Sequence, residues 1–149
     1  MLNAELKNEL TAVHQYLHHG RLYKHWGFEE LGTHECAESM DELTHADRLI
    51  ERILMLDGTP NLQDLHTLNI GNDVLEALKN DLALEQAAQA QCKAAITHCE
   101  SVRDFVSRLL LVDLLDATEE HIDWLEIQIG LIDKIGIQNY QQSAIHKVA

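Results

Sequence analysis

The feature that most constrains this chain is the placement of a few charged side chains inside otherwise apolar helical stripes. Apolar residues recur at spacings of three and four along four long segments, the period of one face of an α-helix. Leu2, Leu6, Glu9, Val13 and Tyr16 share such a face in the first segment, and Glu42, His45, Leu49, Ile53 and Leu56 in the second. The third presents Leu75, Leu78, Leu82, Glu85 and Cys92, and the fourth Leu111, Leu114, Thr118, His121, Leu125 and Ile132. A carboxylate among leucines is costly unless it is paired or bound to a cation. One such acid is ordinarily explained by an exposed bundle end or a salt bridge. Three glutamates and two histidines in register call for a common partner.

Their spacing repeats. Glu9 and Glu42 are 33 residues apart, as are Glu85 and Thr118, and a histidine follows three residues after both Glu42 and Thr118. The two halves therefore read as helical hairpins offset by 76 residues. Each offers an acid on one helix and an acid-x-x-His pair on the next, and residues three apart share a helix face. The second copy, "TEEH" against "ELTH", has a hydroxyl where the first has a carboxylate.

The segments run from about Leu2 to Trp26, Phe28 to Leu56, Asn72 or Asp73 to Ser101, and Arg103 to Ile135. Gly27, Gly58 and Gly136 are the expected stops, and "IQNYQQSAIH" is a short fifth helix. Two of the connections are brief and make antiparallel neighbours. The third, "DGTPNLQDLHTLNIGN" from Asp57 to Asn72, is long enough to travel the length of a bundle. One such crossover marks ferritin-like bundles. With one proline, seven glycines and few aromatics in 149 residues, the composition favours a single all-α domain over 1–149.

The formal charge of −14 excludes nucleic acid as a partner and suits cations. Cys36, Cys92 and Cys99 form no CxxC pair, and read as buried reduced thiols. No secretory leader or apolar run long enough to span a bilayer stands out, so the cytoplasm is the expected compartment. The Glu and His set suits two adjacent first-row metal ions: carboxylates offset and bridge the charges, and one imidazole serves each ion. Iron is the natural candidate, with manganese and zinc allowed by the spacing alone.

At these residues the chain resembles bacterioferritin, the haem-containing branch of the ferritin superfamily. The matching stretches are "NELTAVHQY", "MDELTHADRLIERIL", "PNLQDL", "LNIG", "DLALE", "HIDWLE" and "GIQNY", in that order along nearly the whole length. The resemblance implies a four-helix subunit with a short fifth helix, in a hollow shell of twenty-four subunits that stores ferric mineral. It places the di-iron ferroxidase centre on Glu9, Glu42, His45, Glu85 and His121, with Thr118 where a second bridging carboxylate belongs. Tyr16 and Trp124 match aromatics beside that centre, although packing accounts for them equally well. Asn139 and Gln142 resemble the lining of a shell channel.

Two departures follow. Asp116, Glu119 and Glu120 flank the gap at Thr118, but each helical step turns a side chain by about 100°, so they should point away from His121's inward direction. Ferroxidase activity should therefore be impaired, chiefly on the side of Glu85 and His121. The family holds haem b through one methionine from each of two subunits, and Leu43 stands at that position, so a homo-oligomer should lack this ligation. An alternative is a non-catalytic subunit of a mixed shell, whose partner subunit supplies ferroxidase activity and haem ligation. His14 and His18, four apart, read as exposed or interface residues rather than ligands, and His19, His25, His34, His66, His98 and His146 have weaker claims.

Overall fold

A computed structural model describes residues 1–145, so His146 lies outside the described residues. Five helices are found among them: α1 (Leu2–His25), α2 (Glu29–Met55), α3 (Val74–Ser101), α4 (Phe105–Ile135) and α5 (Ile137–Ile145). The expected all-α, ferritin-like four-helix bundle with one long crossover and a short fifth helix is the fold observed. No described helix is long and apolar enough to cross a membrane.

The helix ends refine the sequence reading. Asp73 caps α3, its carboxylate accepting from the Glu76 N–H at 2.8 Å. α4 begins at Phe105 behind Asp104, rather than at Arg103, because Arg103 has φ +60° and cannot continue a right-handed helix. α2 likewise ends through Asp57 at φ +60°, one residue before the expected Gly58. In both cases, and at Gly27 (φ +97°), the next N–H reaches back five residues: Phe28 to Tyr23, Gly58 to Ile53, and Asp104 to Cys99. This left-handed closure satisfies carbonyls that a helix end leaves open.

α1 and α2 pack antiparallel, as do α3 and α4, and the crossover makes α2 and α3 parallel. The crossover has no regular structure, so its backbone groups need partners elsewhere. One face of α1 supplies them. Asn3 Oδ1 accepts from Asn61 N–H (2.9 Å), Thr11 Oγ1 from His66 N–H (3.0 Å), Gln15 Oε1 from Asn69 N–H (3.1 Å) and His19 Nε2 from Gly71 N–H (3.0 Å). The crossover thus runs alongside α1 in the same direction and delivers the chain to the start of α3.

Two apolar clusters fill the ends of the bundle. One contains Leu6, Leu49, Cys92, Cys99, Leu111 and Leu114; the other contains Tyr23, Leu31, Leu78, Leu125, Ile132 and Tyr140. On α2, α3 and α4 the residues of the repeat fall between these clusters, while on α1 Glu9 sits at the inner edge of the first, between Leu6 and Leu10. Cys92 and Cys99 are buried and free, as expected, while Cys36 is half-buried.

Gly71 pins the end of the crossover. A Cβ there would lie 2.3 Å from the Ala77 nitrogen and 2.6 Å from its Cα, so backbone would have to move. Gly71→Ala is expected to destabilise the fold by about 1–3 kcal/mol, the usual scale of overpacking. Guanidinium unfolding followed by circular dichroism measures it, and an unchanged midpoint would contradict the close approach.

Candidate metal centre

Between the two apolar clusters, the four long helices bring together all five residues singled out in the repeat. Glu9 comes from α1, Glu42 and His45 from α2, Glu85 from α3 and His121 from α4. Both histidines turn Nδ1 toward carboxylates. His45 Nδ1 lies 3.3 Å from Glu42 Oε2 and 3.6 Å from Glu9 Oε2. His121 Nδ1 lies 3.1 Å from Glu85 Oε1 and 3.8 Å from Glu38 Oε2. Glu9, Glu42, Glu85 and His121 are buried, His45 only partly.

Within this centre, two groups of three residues are tight enough to hold a cation. Glu9, Glu42 and His45 each offer a ligand atom within 4.8 Å of the others, and so do Glu38, Glu42 and His121. Glu42 belongs to both. Around the second group, Tyr16 donates a hydrogen bond to Glu85 Oε1 and meets the His121 ring edge-on at 5.1 Å. His34 stacks on Trp124 with ring centroids 3.9 Å apart. A cavity of about 350 Å³ adjoins the centre, bordered by His34, Glu38, Glu42, His45, His121 and Trp124.

Electrostatics mark the cluster as rich in buried negative charge. Burial, with the charges of Glu85 and Glu5, outweighs a hydrogen bond from Glu42 and pushes the Glu9 carboxyl up to about 8. Burial and Glu9 hold Glu42 well above the carboxylate range. Burial alone would lower His121, but Glu85, Glu38 and Glu42 more than offset it and raise it to about 9. Glu9 Oε2 is buried with no hydrogen-bond partner. These groups hold protons more tightly than free ones do, and a cation entering the cluster would compete with those protons.

The residues around position 118 separate clearly. Thr118 is buried on the inward face of α4. Glu119 turns outward and accepts from Gln89 Nε2 at 3.0 Å, and Asp116 is exposed. Glu120 is also exposed, yet it borders the cavity, a position the rotation argument did not anticipate. Leu43 lies on the exposed face of α2, where a hydrocarbon side chain offers no lone pair to haem iron. His14 and His18 are exposed, as are Asn139 and Gln142.

Three features escaped sequence reading. Glu38 lies four residues before Glu42, which places it on the same face of α2, but it has no acid as counterpart in the second half. His34 reaches the cavity from one turn further back. His19 forms a fully buried group with Glu35 and Asp81. That third group is not arranged for a metal. His19 Nε2 accepts from Gly71 N–H, which leaves the proton of a neutral ring on Nδ1, 2.8 Å from Asp81 Oδ1. Both ring nitrogens are therefore engaged in joining α1, α3 and the crossover.

Glu5, held at about 7 mainly by burial, Glu9 at about 8 and His121 at about 9 all exceed their ordinary values. Between about pH 5 and 9 the native state thus binds more protons than the unfolded chain, and stability falls as pH rises. The melting temperature of metal-free protein is expected to drop across this window, with saturating Co(II) reducing the slope. A flat or rising metal-free profile would contradict the buried charge excess.

Comparison with known proteins matches this architecture to a ferritin-like domain over residues 1–135. The chain is 41% identical over 147 residues to a bacterioferritin of Mycobacterium tuberculosis, covering 99% of this chain and 92% of that protein. It is 46% identical over 150 residues to a bacterial ferritin of Paramagnetospirillum magnetotacticum, with the same coverage. A bacterial ferritin of Synechocystis sp. is 46% identical over 143 residues, covering 95% and 92% of the two chains. The repeat of helical hairpins, the long crossover and the buried Glu and His cluster are thus those of a family member: the chain belongs to the ferritin superfamily, in its bacterioferritin branch.

Proposed function

We propose that this chain is an iron-storage subunit of a bacterioferritin-type hollow shell, taking up Fe(II) and holding it as ferric mineral. The observation that carries the reading is Glu42, common to two groups of cation-sized geometry. Glu9 and His45 complete the ligands on one side, and Glu85 and His121 serve the other. Two Fe(II) held around one shared carboxylate can together give two electrons to dioxygen or peroxide, and the oxidised iron then passes to the mineral. Tyr16, hydrogen-bonded to Glu85, holds that carboxylate toward His121.

Thr118 limits this chemistry. A hydroxyl contributes no negative charge between the metals, so the pair has one shared carboxylate, Glu42, instead of two. The chain is therefore a slow ferroxidase for its family. Shell assembly is supported by exposed apolar side chains, among them Leu54, Met55, Phe105, Val106 and Leu109, at the end of α2 and the start of α4. Apolar surface gathered in this way marks an interaction site. We place the shell in the cytoplasm, with twenty-four subunits and one ferritin-like domain in each.

A second reading rests on Leu43 and Thr118 together. Lacking both a haem-ligating sulfur and a bridging acid, the chain suits a structural role in a mixed shell, beside a subunit that supplies haem ligation and full ferroxidase activity.

Thr118→Glu is expected to raise the initial rate of Fe(II) oxidation by the isolated protein by about tenfold, within the range over which changes in a metal's surroundings alter activity. Stopped-flow absorbance of the ferric product reads the rate. An unchanged rate would mean that position 118 is not limiting.

A further inference from the structure

We propose that Glu38 supplies the carboxylate that position 118 lacks, binding the cation held by Glu85 and His121 so that each subunit keeps two metal sites. This rests on the reading of the cluster as a two-cation centre.

Formal charge sets the need. Two divalent cations carry four positive charges, and Glu9, Glu42 and Glu85 supply three negative ones. Glu38 brings the fourth and restores the balance that a glutamate at 118 would give. Its position suits this task. Four residues before Glu42, it stands one turn away on the same face of α2. Its Oε2 is 3.8 Å from His121 Nδ1, and with Glu42 and His121 it forms a group of ligand atoms within 4.8 Å.

The compensation is one-sided. In the 76-residue repeat, the counterpart of Glu38 is Leu114, which is buried in an apolar cluster. An extra acid is therefore present in the first half alone. It reaches across to His121, on the side that lost its carboxylate, and pairs with no other metal-facing histidine: among the described residues its remaining ion pair is with His34, at 3.7 Å. Glu38 also borders the 350 Å³ cavity and is more exposed than Glu42, so a cation entering from the cavity meets it.

Because Glu38 pairs with His121 and not with His45, it acts as a terminal ligand and does not rebuild the second bridge. Metal occupancy is preserved while the pair remains less tightly coupled. This separates binding from oxidation rate, and leaves Thr118→Glu able to accelerate the reaction.

Anaerobic Co(II) titration of the assembled protein, by calorimetry with visible absorption, tests the assignment without turnover. The wild-type chain should bind two Co(II) per subunit. Glu38→Gln should keep one of these and weaken the other about tenfold or more, in line with loss of a metal-site carboxylate. Adding Thr118→Glu to that variant should restore the second site, which also shows that the variant is folded. Two unaltered sites in Glu38→Gln would overturn the role of Glu38 while leaving the two-cation reading in place. A single site in the wild type, or none, would overturn the two-cation reading as well.

Discussion

Buried negative charge is the constraint around which this bundle is arranged. Glu5, Glu9, Glu35, Glu42, Asp81 and Glu85 are all buried, and no lysine or arginine is buried with them among the described residues. Ionised carboxylates withdrawn from water without cations are untenable. The structure responds in three ways: protons are retained, histidines are drawn in, and apolar packing is divided into clusters on either side. The middle of the bundle is consequently the least apolar part of its interior. Its stability and its capacity for metal are two expressions of one charge imbalance.

Most of the architecture was legible because the relevant signals are local. Apolar spacing located the four long helices, and the acid-x-x-His repeat located the residues they bring together. Helix ends were less legible. Asp57 and Arg103 adopt a left-handed conformation usually given to glycine, since the hydrogen bonds that close the helix offset the strain. Glycine at 58 drew attention to the wrong residue.

Parts of the site were hidden for a different reason. Glu38 lies outside the internal repeat, so a search for matching positions passes over it, and its partner His121 is distant in sequence. His19 resembled any other histidine among the ten, because its importance depends on a crossover backbone that no periodicity describes. Glu120 shows the limit of rotation arguments. A side chain can point away from its neighbour's direction and still border a cavity wider than one helix face.

The crossover has a consequence beyond linking two hairpins. Two identical hairpins assembled as separate molecules would share every mutation, so losing an acid on one side of the centre would mean losing it on both. Held along α1 by side-chain contacts, the crossover makes the two copies parts of a single polypeptide and frees them to diverge. Thr118 can then stand opposite Glu42, and Glu38 opposite Leu114. Covalent continuity lets an approximately two-fold cluster carry unlike residues in its two halves.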